Sequence, residues 1–199
     1  MKFNKYIRKI IKLVPILIFC IFLTSCKSNE IIPEYLIECK NEDSFTGFGK
    51  MYYTIEDNTI KKVSYSKYNE YINNSNYESL SSNQYKIWAQ SSFGSPKNWS
   101  YWEFGEYSSD KRNILEYDIE KLKKYVTMMD LDYETPVSSF DNYVINIYIT
   151  EFDDYTIVEA NLLKNEKTIK SKCALFYNEE LVSDNYKLNS VQEIYKYNN

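Results

Sequence analysis

The chain has 199 residues, with 24 Lys and Arg against 28 Asp and Glu and 44% hydrophobic residues, which suits one folded domain with an appendage and excludes a disordered chain. Five of the basic residues lie in the first 25 positions, which hold no acid, so the rest carries 19 against 28, with Arg112 its one arginine; nucleic-acid binding as the main role is excluded because phosphate neutralisation needs a basic face. The chain has no histidine, which removes histidine-based triads, His-ligated zinc and the usual near-neutral general base.

Residues 1–12 are basic, and residues 13–23 form an apolar run of 11 residues broken only by Pro15. A spanning helix needs roughly 20 apolar residues, so the run reads as the core of a secretory signal. It ends in Leu23-Thr24-Ser25-Cys26, which resembles the lipobox of bacterial lipoproteins. That resemblance implies diacylglyceryl transfer to the Cys26 thiol and cleavage between Ser25 and Cys26. Two acyl chains, at about 0.8 kcal/mol per buried methylene, hold a protein stably to a bilayer. The expected organisation is a signal peptide over residues 1–25, a lipidated Cys and tether over 26–33, and one globular domain over 34–199. The expected location is the extracytoplasmic side of the cell membrane or outer membrane.

Once Cys20 leaves with the signal and Cys26 is acylated, Cys39 and Cys173 remain. An even pair in an exported chain is consistent with a structural disulfide, and two buried thiols are the alternative. Closing so long a loop would be worth roughly 5 kcal/mol in the chain-entropy model.

Along the domain, Tyr35-Leu36-Ile37 opens a strand. Residues 48–55 and 59–65 flank Glu56-Asp57-Asn58 as a hairpin, and residues 69–83, rich in Asn and Ser, read as loop. The spacing of Leu80, Gln84 and Trp88 predicts a short helix over about 80–92, ended by Gly94-Ser95-Pro96. Residues 99–107 are aromatic on alternate sides and predict a covered strand. Leu115, Ile119, Leu122, Val126 and Met129 form one apolar stripe and predict a helix over about 114–129, with Asn113 as cap and Glu116 as its capping-box partner. Residues 143–177 alternate as a three-stranded meander turning at Asp153-Asp154 and at residues 164–167. In it, Ile145, Ile147 and Ile149 face the core beside Thr156, Val158, Ala160 and Leu162. The fold class is α+β, a mainly antiparallel sheet with helix on one face.

Most signals of chemistry dissolve on inspection. Ser-x-x-Lys occurs at Ser64–Lys67 and Ser108–Lys111, as often as chance allows, without the further motifs of penicillin-binding folds. Asp130, Asp132 and Glu134 have the spacing of a calcium loop, but the turn glycine is replaced by Thr135 and the last ligand by Asp141. Glu103 and Glu106 suggest a glycosidase pair, yet in a strand they point to opposite faces. Gly47-Phe48-Gly49 lacks the third glycine of a dinucleotide fingerprint. No cofactor or metal is expected. The strongest constellation is Trp99, Tyr101 and Trp102, with Trp88 upstream, a candidate aromatic platform for a protein or glycan partner if it faces solvent and a piece of core if it does not. The 21 tyrosines carry less weight, since an AT-rich genome and core packing explain them. The expected function is a non-enzymatic, membrane-anchored binding or envelope-associated module. The alternative is a lipid-anchored hydrolase that attacks envelope polymers through carboxylates.

Overall fold

Alternating apolar and polar side chains fold most of the described residues into strands, here seen in a computed structural model that describes residues 31–41, 49–74, 76–91, 99–107, 117–131, 143–184 and 191–198. The elements in order are β1 (Tyr35–Asn41), β2 (Gly49–Glu56), β3 (Thr59–Val63), α1 (Tyr65–Asn74), β4 (Tyr77–Leu80), β5 (Asn83–Ser91), a 3-10 turn (Trp99–Tyr101) and β6 (Glu103–Glu106). Then come α2 (Ile119–Met128), β7 (Tyr143–Phe152), β8 (Tyr155–Lys164), β9 (Lys167–Tyr177), β10 (Glu180–Asp184) and β11 (Val191–Tyr197). The strands make two antiparallel sheets. The first has the order β3-β2-β1-β11-β4 and the second β10-β9-β8-β7-β5-β6. The fold is α+β and mainly antiparallel. Residues Pro33–Asn199 form one compact unit. No helix among the described residues is long and apolar enough to cross a membrane.

Period-two burial sorts the side chains into two cores. Tyr35, Ile37 and Cys39 on β1 and Met51, Tyr53 and Ile55 on β2 turn inward from the first sheet. They meet Phe152, Tyr155, Ile157, Cys173 and Leu175 of the second sheet. The other face of the second sheet carries Ile145, Ile147 and Ile149 on β7 and Val158, Ala160 and Leu162 on β8, in direct register (Ile145↔Leu162, Ile147↔Ala160, Ile149↔Val158). Leu122, Tyr125 and Val126 of α2, with Met129 at its C-terminal cap, cover that face. Each fully buried aliphatic or aromatic side chain contributes about 1.5–3 kcal/mol, so these two contacts supply most of the stability. A bulge opposite Glu38 and Cys39 lets both Val191 and Ile194 of β11 point inward despite their odd spacing.

The helices correct part of the sequence reading. The helix expected over 80–92 is instead β5, where Ile87 and Ala89 are buried and Lys86, Trp88 and Gln90 alternate on the opposite face. That two-residue period, with partners on both sides in β6 and β7, outweighs the helical spacing of Leu80, Gln84 and Trp88. The second helix is α1, in a stretch read partly as loop. Ser64 caps it, its hydroxyl accepting from the Lys67 N–H at 3.2 Å. Tyr68 is buried against Tyr52 of the first sheet, with ring centroids 4.5 Å apart. Ser64-x-x-Lys67 is therefore a helix cap. In α2 the cap is Asp118, whose carboxylate accepts from the N–H groups of Glu120 (2.9 Å) and Lys121 (3.3 Å). Asn113, Leu115 and Glu116 lie outside the described residues. Residues 99–101 form a 3-10 turn, which leaves only Glu103–Glu106 of the expected aromatic strand as strand.

Polar ties close one end of the sandwich. Asp153, in the β7–β8 turn, accepts from the Tyr35 hydroxyl and from Lys196 of β11, both at 2.8 Å. The Tyr155 hydroxyl donates to Asn58 in the β2–β3 turn at 2.6 Å. On the α2 side, Glu151 accepts from the Tyr117 hydroxyl and from Lys121, both at 2.9 Å. Cys39 and Cys173 lie in the same inter-sheet core. Burial, then proximity to Cys173, pushes the Cys39 thiol well above its ordinary range.

Two outcomes follow for stability. The Tyr143 hydroxyl is buried and has no hydrogen-bond partner among the described residues. Tyr143→Phe should therefore raise the urea stability by about 1 kcal/mol, and a loss instead would show that the hydroxyl is satisfied. Lys196 first, then the Tyr35 hydroxyl, hold the Asp153 carboxyl below its ordinary pKa. A carboxylate so shifted stabilises the fold above its unfolded pKa and loses that contribution as pH falls through the folded value. Asp153→Asn should cost less than about 1 kcal/mol at pH 7, with the gap to the parent narrowing in melts taken towards pH 3.

Candidate functional site

The first sheet does not cover the whole of the second. On β7, residues 149 and 150 are both buried, whereas from residue 148 back to 144 the even positions are only half-buried. On the same face of β8 the change falls between Ile157 and Glu159, and on β9 between Cys173 and Ser171. These positions align in one cross-strand row, Lys86↔Tyr148↔Glu159↔Cys173. The row marks the rim of the first sheet. Beyond it, the face that deeper in the molecule packs against β1 and β2 stands open among the described residues.

Two further rows lie on that open face. One is Gly105↔Trp88↔Asn146↔Asn161↔Ser171, and the other is Gln90↔Val144↔Leu163. The Trp88 indole lies across Gly105 of the neighbouring strand, close enough that a Cβ there would fall 2.2–2.7 Å from three of its atoms. Only glycine leaves that space, so β6 supplies a floor for the ring. Tyr107, just past β6, is 54% exposed, and its hydroxyl donates to Asn146 Oδ1 at 3.0 Å. Asn161 donates to Glu159 at 2.9 Å and accepts from the Ser171 hydroxyl at 2.5 Å. The Lys86 ammonium stands 6.0 Å from the centre of the Tyr148 ring. The Trp88 ring is thus seated by its neighbour strand, and the two amides are held by hydrogen bonds within the protein.

The face is hollowed at both ends. A depression of about 550 Å³ lies among Gln90, Tyr107, Val144, Asn146, Leu163 and the β8–β9 turn. A narrower cleft of about 80 Å³ follows the rim between Lys86, Tyr148, Glu159 and Gln192. Such a concave strip, with rings for contact and a few polar groups for orientation, has the composition of a ligand site.

The aromatic platform expected at Trp99, Tyr101 and Trp102 is not open. Trp102 is 7% exposed and belongs to the core beneath α2. Trp99 is half-buried, packs edge-on to Trp102 at 5.6 Å, and donates its indole N–H to Thr127 of α2 at 3.2 Å. These two rings dock a helix. The side chain of Tyr101 is outside the described residues. Phe104 packs on the α2 side while Gly105 faces Trp88, so Glu103 and Glu106 lie on opposite faces of β6. Asp130 interacts with β9, where Lys170 donates to its carbonyl at 2.7 Å, and Asp132, Glu134, Thr135 and Asp141 are outside the described residues. Ser25, Cys26, Gly47, Phe48, Ser108 and Lys111 are outside them too. Among the described residues no three acidic or cysteine side chains converge to hold a metal ion.

Truncation separates the two kinds of tryptophan. Trp102→Ala should lower stability by about 3–5 kcal/mol through the cavity it leaves, whereas Trp88→Ala, on the open face, should cost clearly less. Urea melts of both variants give the comparison, and equal losses would mean that Trp88 is core. No family model, no curated protein and no solved structure matches this chain, so its function is to be read from these side chains.

Proposed function

We propose that this chain is a bacterial lipoprotein held to an extracytoplasmic membrane surface through diacylated Cys26, and that its domain is a non-enzymatic binding module. The leader carries the first half of this reading: a basic head, a short apolar run and Leu23-Thr24-Ser25-Cys26. The second half rests on one observation, the open strip of the second sheet with Trp88, Tyr107 and Tyr148 on it. A face that the neighbouring sheet leaves uncovered among the described residues, yet that keeps its Trp88 ring on a glycine floor and its amides bonded, is arranged to receive another molecule.

Mass spectrometry of the protein recovered from a bacterial envelope tests the anchor. The mature chain should begin at Cys26 and carry the added diacylglyceryl mass. The same spectrum reads whether Cys39 and Cys173 are joined, by the loss of their thiol hydrogens. Cys26→Ala should leave the membrane fraction after a carbonate wash. An unacylated parent, or a variant that stays with the membrane, would overturn the reading.

A further inference from the structure

We propose that the open strip of the second sheet binds a neutral, extended polysaccharide chain, laid along β5 and β7 with its sugar rings on Trp88, Tyr107 and Tyr148. The proposal rests on the binding-module reading above and names the ligand of that same face.

Shape comes first. From Lys86 to Gln90 on β5 the strip runs four residues, or about 13 Å at the rise of a strand, room for two or three sugar units in a row. It opens at its far end through the hollow by Val144, and at the rim the cleft by Gln192 leads in towards the first sheet. A strip of that form suits a stretch of polymer better than a compact small molecule.

Chemistry narrows the choice further. A sugar ring presents flat patches of C–H and a rim of hydroxyls. Aromatic rings meet the first, while groups that both donate and accept meet the second. Trp88 lies across Gly105 with its ring held in place, and Tyr107 extends into solvent beside it. Asn146 and Asn161 occupy the same cross-strand row as Trp88, with Ser171 next to them. An amide has two donor hydrogens and two acceptor lone pairs, so the bonds Asn146 and Asn161 make within the protein do not exhaust them. The distribution of charge disfavours anionic ligands. Lys86 and Glu159 flank Tyr148 in one row with opposite signs, and Glu103 and Glu166 at the far rim add negative charge that repels anions. A protein partner would need a desolvated apolar centre, whereas the row through Trp88 continues into two amides and a hydroxyl.

The test uses the full-length acylated protein in a detergent without a sugar headgroup. It is equilibrated with cellulose, chitin and amylose, and with dextran sulfate as the anionic control. Retention is read by sedimentation and by Trp fluorescence, with soluble oligosaccharides of the same linkages as competitors. At least one neutral polymer should retain the parent and its oligosaccharide should release it, while dextran sulfate should not bind. Trp88→Ala and Tyr107→Ala should each weaken retention by about ten-fold or more. Because Tyr107 stands mostly in solvent, its variant keeps the result independent of folding. Gly105→Ala should weaken retention too, by lifting the indole off its floor, and Trp99→Ala, which packs on Trp102, Phe104 and Thr127 on the α2 side of β6, should not. Failure of a folded, acylated protein to bind any neutral polymer would overturn the proposal, as would binding indifferent to Trp88 and Tyr107. Retention of an envelope protein through those same residues, with no sugar bound, would overturn the polysaccharide while leaving the binding module intact. A protein that lacks the acyl group would bear only on the anchor.

Discussion

Phe152, Ile157 and Leu175 of the second sheet meet Tyr35, Ile37 and Tyr53 of the first, and this contact decides how far the two sheets overlap. Strands β7 and β8 are ten residues long and β9 eleven, whereas β1 and β11 have seven. Short strands cannot cover long ones. Where the cover stops, the inward face of the second sheet must become polar or carry rings that tolerate water, and the change from Thr150 and Ile157 to Asn146 and Asn161 meets that demand. On β7 and β8 the opposite face has no such break, because α2 and the Trp99–Trp102 pair continue the cover.

How much of this was legible in the chain depends on the range of the interaction. The β7–β8–β9 meander was plain, since each strand alternates and the turns are marked by acid or amide residues. These turns place Asp153, Asn165 and Glu166 at positive φ, a conformation that Asn and Asp enter more readily than most residues. The stripe of α2 was equally plain. The β5 segment was misread because Leu80, Gln84 and Trp88 imitate a helical period, while its strand character comes from partners far off in sequence. Helix α1 was hidden by its Asn-rich composition, and its one strong local signal was Ser64.

The open strip was half visible. That Asn146 and Tyr148 point away from the Ile145, Ile147 and Ile149 stripe follows from alternation alone. That nothing among the described residues covers them does not, because it depends on where a second sheet ends. For the same reason Trp99 and Trp102 looked more promising than Trp88. Sequence density drew attention to the crowded aromatics, and crowding is what a core needs. The functional candidate is the tryptophan placed opposite a glycine, a pairing that only strand register creates.

The acid groups that join the layers share one design. Asp153 is held by Tyr35 and Lys196, and Glu151 by Tyr117 and Lys121, so each carboxylate has one neutral donor and one cation. Dissolved ions screen the attraction of an exposed ammonium but have little hold on a phenol hydrogen bond that is partly shielded from solvent. Raising ionic strength therefore removes only half of each junction. A domain with a single arginine after residue 25 gains in this way layer contacts that tolerate salt better than ion pairs alone, using tyrosine, of which the chain has 21.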